Sequence, residues 1–202
     1  AGSYWAVPVI EGIDTAPTSD QIKHFGAAMA SYGSTPLFHI VGVTPEAPDL
    51  KAVGGDGLAA ERIGADDLAA LRADFGGEGD KVDVVVFAAP QLSLVEMRQL
   101  AAICAGRRRH ADTDVIVCTA PSVYADAERM GFNATLQAFG ATVLQGTCFY
   151  QQYAREIGEA NGWTRLLSNS AKIVNILGGY GYKPALASMA ACVASAEKGE
   201  IV

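Results

Sequence analysis

The stretch Val82-Asp83-Val84-Val85-Val86-Phe87 decides the fold. Its apolar residues occupy both alternating sets, so neither face is left for water. It reads as a central strand buried on both sides, the kind that parallel sheets use. Further apolar runs lie on either side, at Ala6–Ile10, Pro36–Val41, Asp114–Cys118, Ala141–Leu144 and Thr164–Leu167. Helical patterns fall between and beyond them, at Ser19–Ser31, Ala65–Arg72, Leu94–Ala105, Val123–Phe139, Gln151–Asn161 and Pro184–Glu197. This alternation predicts βαβ crossovers and a three-layer α/β/α fold with a mostly parallel sheet.

Several boundaries have a local cause. Thr18 or Ser19 can cap the first helix, and Ser93 with Glu96 three residues later has the form of a capping box. Met97, Leu100, Ala101 and Cys104 then share one helix face, which places Cys104 in the core. The glycines of VGGDG and FGGEGD make residues 47–80 the least regular part of the chain. That excursion reads equally as a mobile flap over a cleft or as surface loops. Gly178-Gly179-Tyr180-Gly181 matches neither a P-loop nor a dinucleotide fingerprint.

Bulk properties narrow the function classes. The 202 residues suffice for one large domain or two small ones, and 50% apolar content with 18% charge excludes general disorder. A net charge of −7 argues against a nucleic-acid surface. The one basic run, Arg107-Arg108-Arg109-His110, follows a helix and can complement its carboxyl end. No apolar run reaches the ~18 residues of a membrane span, and AGSYWAVPVIEG lacks the features of a secretory signal. Four cysteines are too few for a disulfide scaffold and suit a reducing, cytoplasmic setting.

The residues that can carry chemistry gather after predicted strands, where open parallel sheets expose their working groups. Cys118 ends one strand; Cys148 follows another in Gly146-Thr147-Cys148; Cys192 lies on the last helix, off its strongest apolar stripe. Each is either a buried thiol or a ligand of an iron–sulfur site. The absence of a Cys-x-x-Cys excludes a compact ferredoxin-type cluster and a thioredoxin-like pair. Ser168-Asn169-Ser170-Ala171-Lys172 packs hydroxyls, an amide and an amine after the last predicted strand. It reads as a carboxylate-binding and proton-moving site, or as a capping turn with a solvated lysine. His39 near a strand end is either structural or functional.

Together these residues resemble the aconitase X family. The resemblance is carried by LFHIVGVTPEAP at Leu37–Pro48, AAPQLSLVEM at Ala88–Met97, Gly146-Thr147-Cys148, LSNSAK at Leu167–Lys172, and the spacing from Cys192 to Gly199. It implies an aconitase-like domain, with residues 1–202 forming the later half of a large catalytic region. An upstream segment and a small swivelling domain or subunit would then be its partners. It also implies a hydro-lyase that removes water from a small carboxylate, cis-3-hydroxy-L-proline ahead of mevalonate 5-phosphate. The implied cofactor is an iron–sulfur cluster, 2Fe–2S ahead of 3Fe–4S or 4Fe–4S. On this resemblance Cys148 and Cys192 are thiolate ligands, with Cys118 a weaker candidate. Ser170 is the base and His39 a positioning group, while Ser168, Asn169 and Lys172 bind substrate. Gln91 and Gly146 depart from the pattern, which more often has histidine and aspartate there. A non-catalytic α/β subunit or scaffold is the alternative that those departures favour.

Overall fold

The computed structural model describes residues 5–202, so the first four residues of the expected 1–202 region lie outside the described residues. It divides into two compact units, Ala1–Ala70 and Leu71–Val202.

In the first unit, β1 (Val9–Ile10) pairs in parallel with β2 (His39–Ile40), joined by α1 (Ser19–Gly33). Both strands are shorter than their apolar runs predict, because Pro8 and Pro36 have no N–H to donate to a ladder. Thr18 caps α1 in a full capping box with Gln21. After β2 the chain turns at once, with the Thr44 hydroxyl both accepting from Ile40 N and donating to Ile40 O. The glycine-rich excursion contains one 3-10 turn at Lys51–Val53 and α2 (Ala65–Asp74), which runs across the division between the units; the rest is turn and loop.

The second unit is built on a five-stranded parallel sheet of β3 (Val84–Leu92), β4 (Asp114–Thr119), β5 (Ala141–Gln145), β6 (Arg165–Ser168) and β7 (Lys183–Leu186). The spatial order is β5-β4-β3-β6-β7, so the VDVVVF stretch is central, as expected. Connections proceed outward from β3 in one direction to β5, then cross back to β6 beside β3. The chain order therefore reverses between β3 and β6, which makes the crevice past their carboxyl ends the topological switch point.

Alternation along the strands sorts the two cores. Val85, Phe87, Val117, Leu167 and Ala185 face one layer, covered by α3 (Leu94–Cys104), α5 (Phe132–Phe139) and α8 (Met189–Lys198). Val84, Val86, Cys118 and Leu166 face the other, covered by α6 (Ala154–Asn161) and α7 (Ala171–Leu177). Burial of a Leu or Phe side chain in such a layer contributes roughly 1.5–3 kcal/mol.

Three segments differ from the sequence expectation. The predicted helix Val123–Phe139 is two, α4 (Pro121–Arg129) and α5, because Gly131 turns the chain at φ +77°. The predicted helix Pro184–Glu197 begins with strand β7, and Ser188 caps α8 by accepting from Ala191 N. Pro184 is tolerated in β7 because that strand lies at the sheet edge. Helix α7 was not expected at all; Ser170 starts it. No helix among the described residues is long and apolar enough to cross a membrane.

Candidate active site

The site grows from three loops at the carboxyl ends of the parallel strands. Past the core of β3 the chain runs through Ala88, Ala89 and Pro90, the Ala89–Pro90 bond being cis, to Gln91. Ala89 holds a left-handed φ of +46°, a conformation that a residue with a Cβ adopts only under constraint. The constraint comes from α7: the Ser170 hydroxyl donates to Ala89 O at 2.7 Å.

The loop after β6 is pinned twice more. Ser168, fully buried, donates its hydroxyl to Val86 O at 2.6 Å and accepts from Ser170 N at 3.1 Å. The Ser170 oxygen also accepts from Ile173 N at 3.2 Å, the N-cap of α7. Both serines therefore hold structure in this arrangement. Asn169, between them, has its Oδ1 buried with no hydrogen-bond partner among the described residues.

The loop after β5 turns at Gly146, whose φ of +67° disfavours a side chain; a Cβ there would also stand 3.3 Å from Pro121 Cγ. Gln91 reaches this loop and donates from Nε2 to Thr147 O at 2.8 Å. Cys148 follows, half-buried, before a 3-10 turn at Phe149–Gln151. The Lys172 ammonium lies over the Tyr150 ring, 5.5 Å from its centroid. Lys172 has no carboxylate partner among the described residues.

The thiols differ in state. Burial raises the Cys148 thiol above its ordinary value, and the Tyr150 backbone N–H and the nearby Lys172 charge offset only part of that rise. Cys118 packs against the same layer, completely buried, and is pushed up to about 12 by burial and by Cys148 beside it. Cys192 is on the opposite face of the sheet, within the layer of Val85, Phe87 and Val193. It is completely buried, and its thiol is raised by desolvation. Its sulfur lies 3.8 Å from Ala187 O, a weak donor contact.

The structure thus brings Cys118, Cys148, Ser168, Asn169, Ser170 and Lys172 to one end of the sheet, while Cys192 packs in the layer on the sheet's other face. The cause is the start of α8 at Met189, which turns Cys192, Val193 and Ala196 inward. His39 belongs to the first unit, where its Nδ1 is buried without a hydrogen-bond partner among the described residues. Among the described residues no group of three or more His, Cys, Asp or Glu is placed to hold a metal ion. Cys148 suits a thiolate ligand by exposure and by its cationic neighbour, with Cys118 behind it.

Two features lie elsewhere. Arg109, from the basic run, donates to Gly140 O, His110 O, Ala111 O and Thr113 O, so it ties loops at the amino ends of the strands rather than capping α3. A 690 Å³ cavity between Cys104–Arg108 and the α5 residues Ala134–Phe139 sits at that same end, away from the strand-end cluster. Sequence reasoning missed the paired roles of Gln91 and Ala89. The positive φ of Ala89 has no local signal in its residue type.

Comparison with known proteins agrees with this architecture. Residues 82–198 match the family model of the aconitase X third domain, and residues 2–73 match the aconitase X second domain. The chain is 38% identical to a cis-3-hydroxy-L-proline dehydratase of Pseudomonas aeruginosa and 35% identical to one of Hypocrea jecorina, over 96% of its length in both cases. It is 32% identical, over 81% of its length, to a phosphomevalonate dehydratase large subunit of Methanothermobacter thermautotrophicus. It spans about a third of each of the first two relatives, 34% and 33%. The crystal structure of Thermococcus kodakaraensis aconitase X in its holo form superposes with a TM-score of 0.79 at 21% identity, covering 94% of this chain and 47% of that one. The sheet order, the strand-end loops and both family matches lead to one conclusion: the chain belongs to the aconitase X family.

Proposed function

We propose that this chain is the substrate-handling part of a dehydratase that converts cis-3-hydroxy-L-proline to Δ1-pyrroline-2-carboxylate. The observation that carries the reading is the 38% identity to a cis-3-hydroxy-L-proline dehydratase over 96% of the chain. Identity to the phosphomevalonate dehydratase large subunits is lower, 24–32%, so mevalonate 5-phosphate is the second substrate to test.

The reaction needs a base for the proton beside the carboxylate, a group that holds that carboxylate, and help for the departing hydroxyl. The base takes the C–H proton, its electron pair becomes the ring double bond as the C3–O bond breaks, and the departing hydroxide receives that proton to leave as water. The resulting enamine tautomerises to the imine. Lys172 provides the charge for the carboxylate. Ser170 is the proposed base, and its hydroxyl must release Ala89 O and Ile173 N to reach a substrate carbon. Ser168 keeps the loop in place, and His39 is the proposed positioning group from the first unit.

Cys148 is the proposed thiolate for an iron–sulfur cluster of the 2Fe–2S type, with Cys118 adjacent. The other ligands come from outside the described residues; Cys192 would have to leave the core to contribute. Such a cluster, when bound, supplies a Lewis-acid iron for the departing hydroxyl. The partners in this reading are an upstream large-region segment and a small swivelling domain, in a cytoplasmic enzyme.

The test is water loss measured on the complete enzyme with both substrates offered separately. Turnover of cis-3-hydroxy-L-proline alone supports the reading. Turnover of mevalonate 5-phosphate alone replaces it, and turnover of neither favours the non-catalytic subunit.

A further inference from the structure

We propose that Gln91 is the positioning residue for the Cys148 thiol: its side-chain amide, carried on the end of β3, holds the Thr147 carbonyl and so aims the sulfur that follows. Its use for a cluster rests on the dehydratase reading above. Its effect on the thiol itself does not.

The peptide that enters Cys148 carries the argument. Gln91 Nε2 donates to Thr147 O at 2.8 Å, from 56 residues away in sequence. That oxygen belongs to the planar unit that also contains the Cys148 nitrogen and Cα. Pinning it therefore fixes the direction from which the Cys148 side chain departs. The flanking residues are tied by their backbone: Gly146 N donates to Thr119 O at 2.9 Å, and Gln151 N donates to Cys148 O at 3.0 Å. Between those ties the loop begins at a glycine of positive φ, the residue type that resists rotation least. The Gln91 bond falls on the peptide in the middle.

A side chain positions its neighbour only as firmly as its own backbone is held. On one side of Gln91, Ala89 O accepts from the Ser170 hydroxyl at 2.7 Å. On the other, Leu92 O accepts from the buried Thr119 hydroxyl, also at 2.7 Å. Lys172 meets the same loop from its far side, 5.5 Å from the centre of the Tyr150 ring. The contacts close a ring: from β3 through Gln91 to the Cys148 loop, across Tyr150 to Lys172, and through Ser170 back to β3. Support of this kind around a reactive group is what keeps it in a productive geometry. Gln91 gives that support with a neutral donor, so no further charge is placed beside the thiol.

The experiment measures iodoacetamide labelling of each cysteine in the native chain, at one pH and by peptide mass spectrometry, in Gln91→Met and Gln91→Glu beside the parent. Methionine keeps the length and loses the donor. Glutamate keeps the shape and sets an acceptor against Thr147 O. Labelling of half-buried Cys148 proceeds through opening of its loop, and loss of one neutral hydrogen bond shifts such an equilibrium by about 2–12-fold. Both variants should label Cys148 faster by about that factor, while Cys104, Cys118 and Cys192 stay as protected as in the parent. The complete enzyme carrying Gln91→Met should bind iron with a visible spectrum shifted from the parent's. Parent-rate labelling of Cys148 in both variants overturns the inference. So does labelling of all four cysteines together, or loss of the fold in both variants, since the bond would then hold the domain and not one thiol. An unshifted spectrum overturns the part that concerns the cluster. A parent enzyme without iron overturns the cluster in the dehydratase reading and leaves the labelling to decide the role of Gln91.

Discussion

Replacing Ser170 by alanine removes two hydrogen bonds from one buried oxygen, and their separate costs can be worked out. Loss of the N-cap bond from Ile173 N costs about 1 kcal/mol, as for other Ser→Ala caps. Loss of the bond to Ala89 O leaves a carbonyl without its donor in a residue that is 4% exposed, which costs roughly 1–3 kcal/mol more. Ser170→Ala should therefore lose about 2–4 kcal/mol of unfolding free energy. Ser188 supplies an internal control. It caps α8 in the same way, accepting from Ala191 N at 3.2 Å, with no second hydrogen bond among the described residues. Ser188→Ala should cost only about 1 kcal/mol. Urea unfolding of the two variants beside the parent, followed by circular dichroism, makes the comparison. A Ser170→Ala loss no larger than that of Ser188→Ala refutes the claim that Ser170 clamps the β3 loop.

Two further outcomes follow from the same chemistry. Burial acts to raise the Asp83 carboxyl, but the backbone N–H groups of Arg165 and Thr164 and the Lys81 ammonium outweigh it and hold it below its ordinary 3.8. A depressed folded value stabilises above the ordinary value and is lost as pH falls through the folded one. Asp83→Asn should thus cost about 1–2 kcal/mol between about pH 5 and 8, shrinking towards zero in stronger acid; a pH-independent difference would contradict this. Iodoacetamide applied to the native chain should label Cys148 first and faster as pH rises. Cys104, Cys118 and Cys192, all buried, should label only after unfolding, as read by peptide mass spectrometry. Equal native labelling of Cys192 would show that α8 does not hold it in the core.

The parts of the fold that were legible in the sequence are those written in short-range pattern. VDVVVF announces a strand buried on both faces, and the Ser93–Glu96 box announces α3. Strand β7 was hidden because Lys183–Leu186 has only four residues, includes a proline, and earns its place by pairing with β6. Helix α7 was hidden because seven residues between a polar cluster and two glycines show barely two turns of periodicity. At the site, the residue types were readable but their roles were not. Whether the hydroxyls of Ser168 and Ser170 are spoken for depends on carbonyls of β3, 82 and 81 residues away in sequence. The burial of Cys192 was hidden for a related reason: starting its helix at Pro184 instead of Met189 obscured the inward run that includes it.

The most direct test of the account concerns which face of the sheet does the work. Iron content and water loss from cis-3-hydroxy-L-proline should be measured on the complete enzyme with Cys148→Ser and, separately, with Cys192→Ala. The account predicts that Cys148→Ser loses bound iron and turnover while Cys192→Ala retains both. Iron and full turnover surviving in Cys148→Ser, or vanishing in a folded Cys192→Ala, would contradict it.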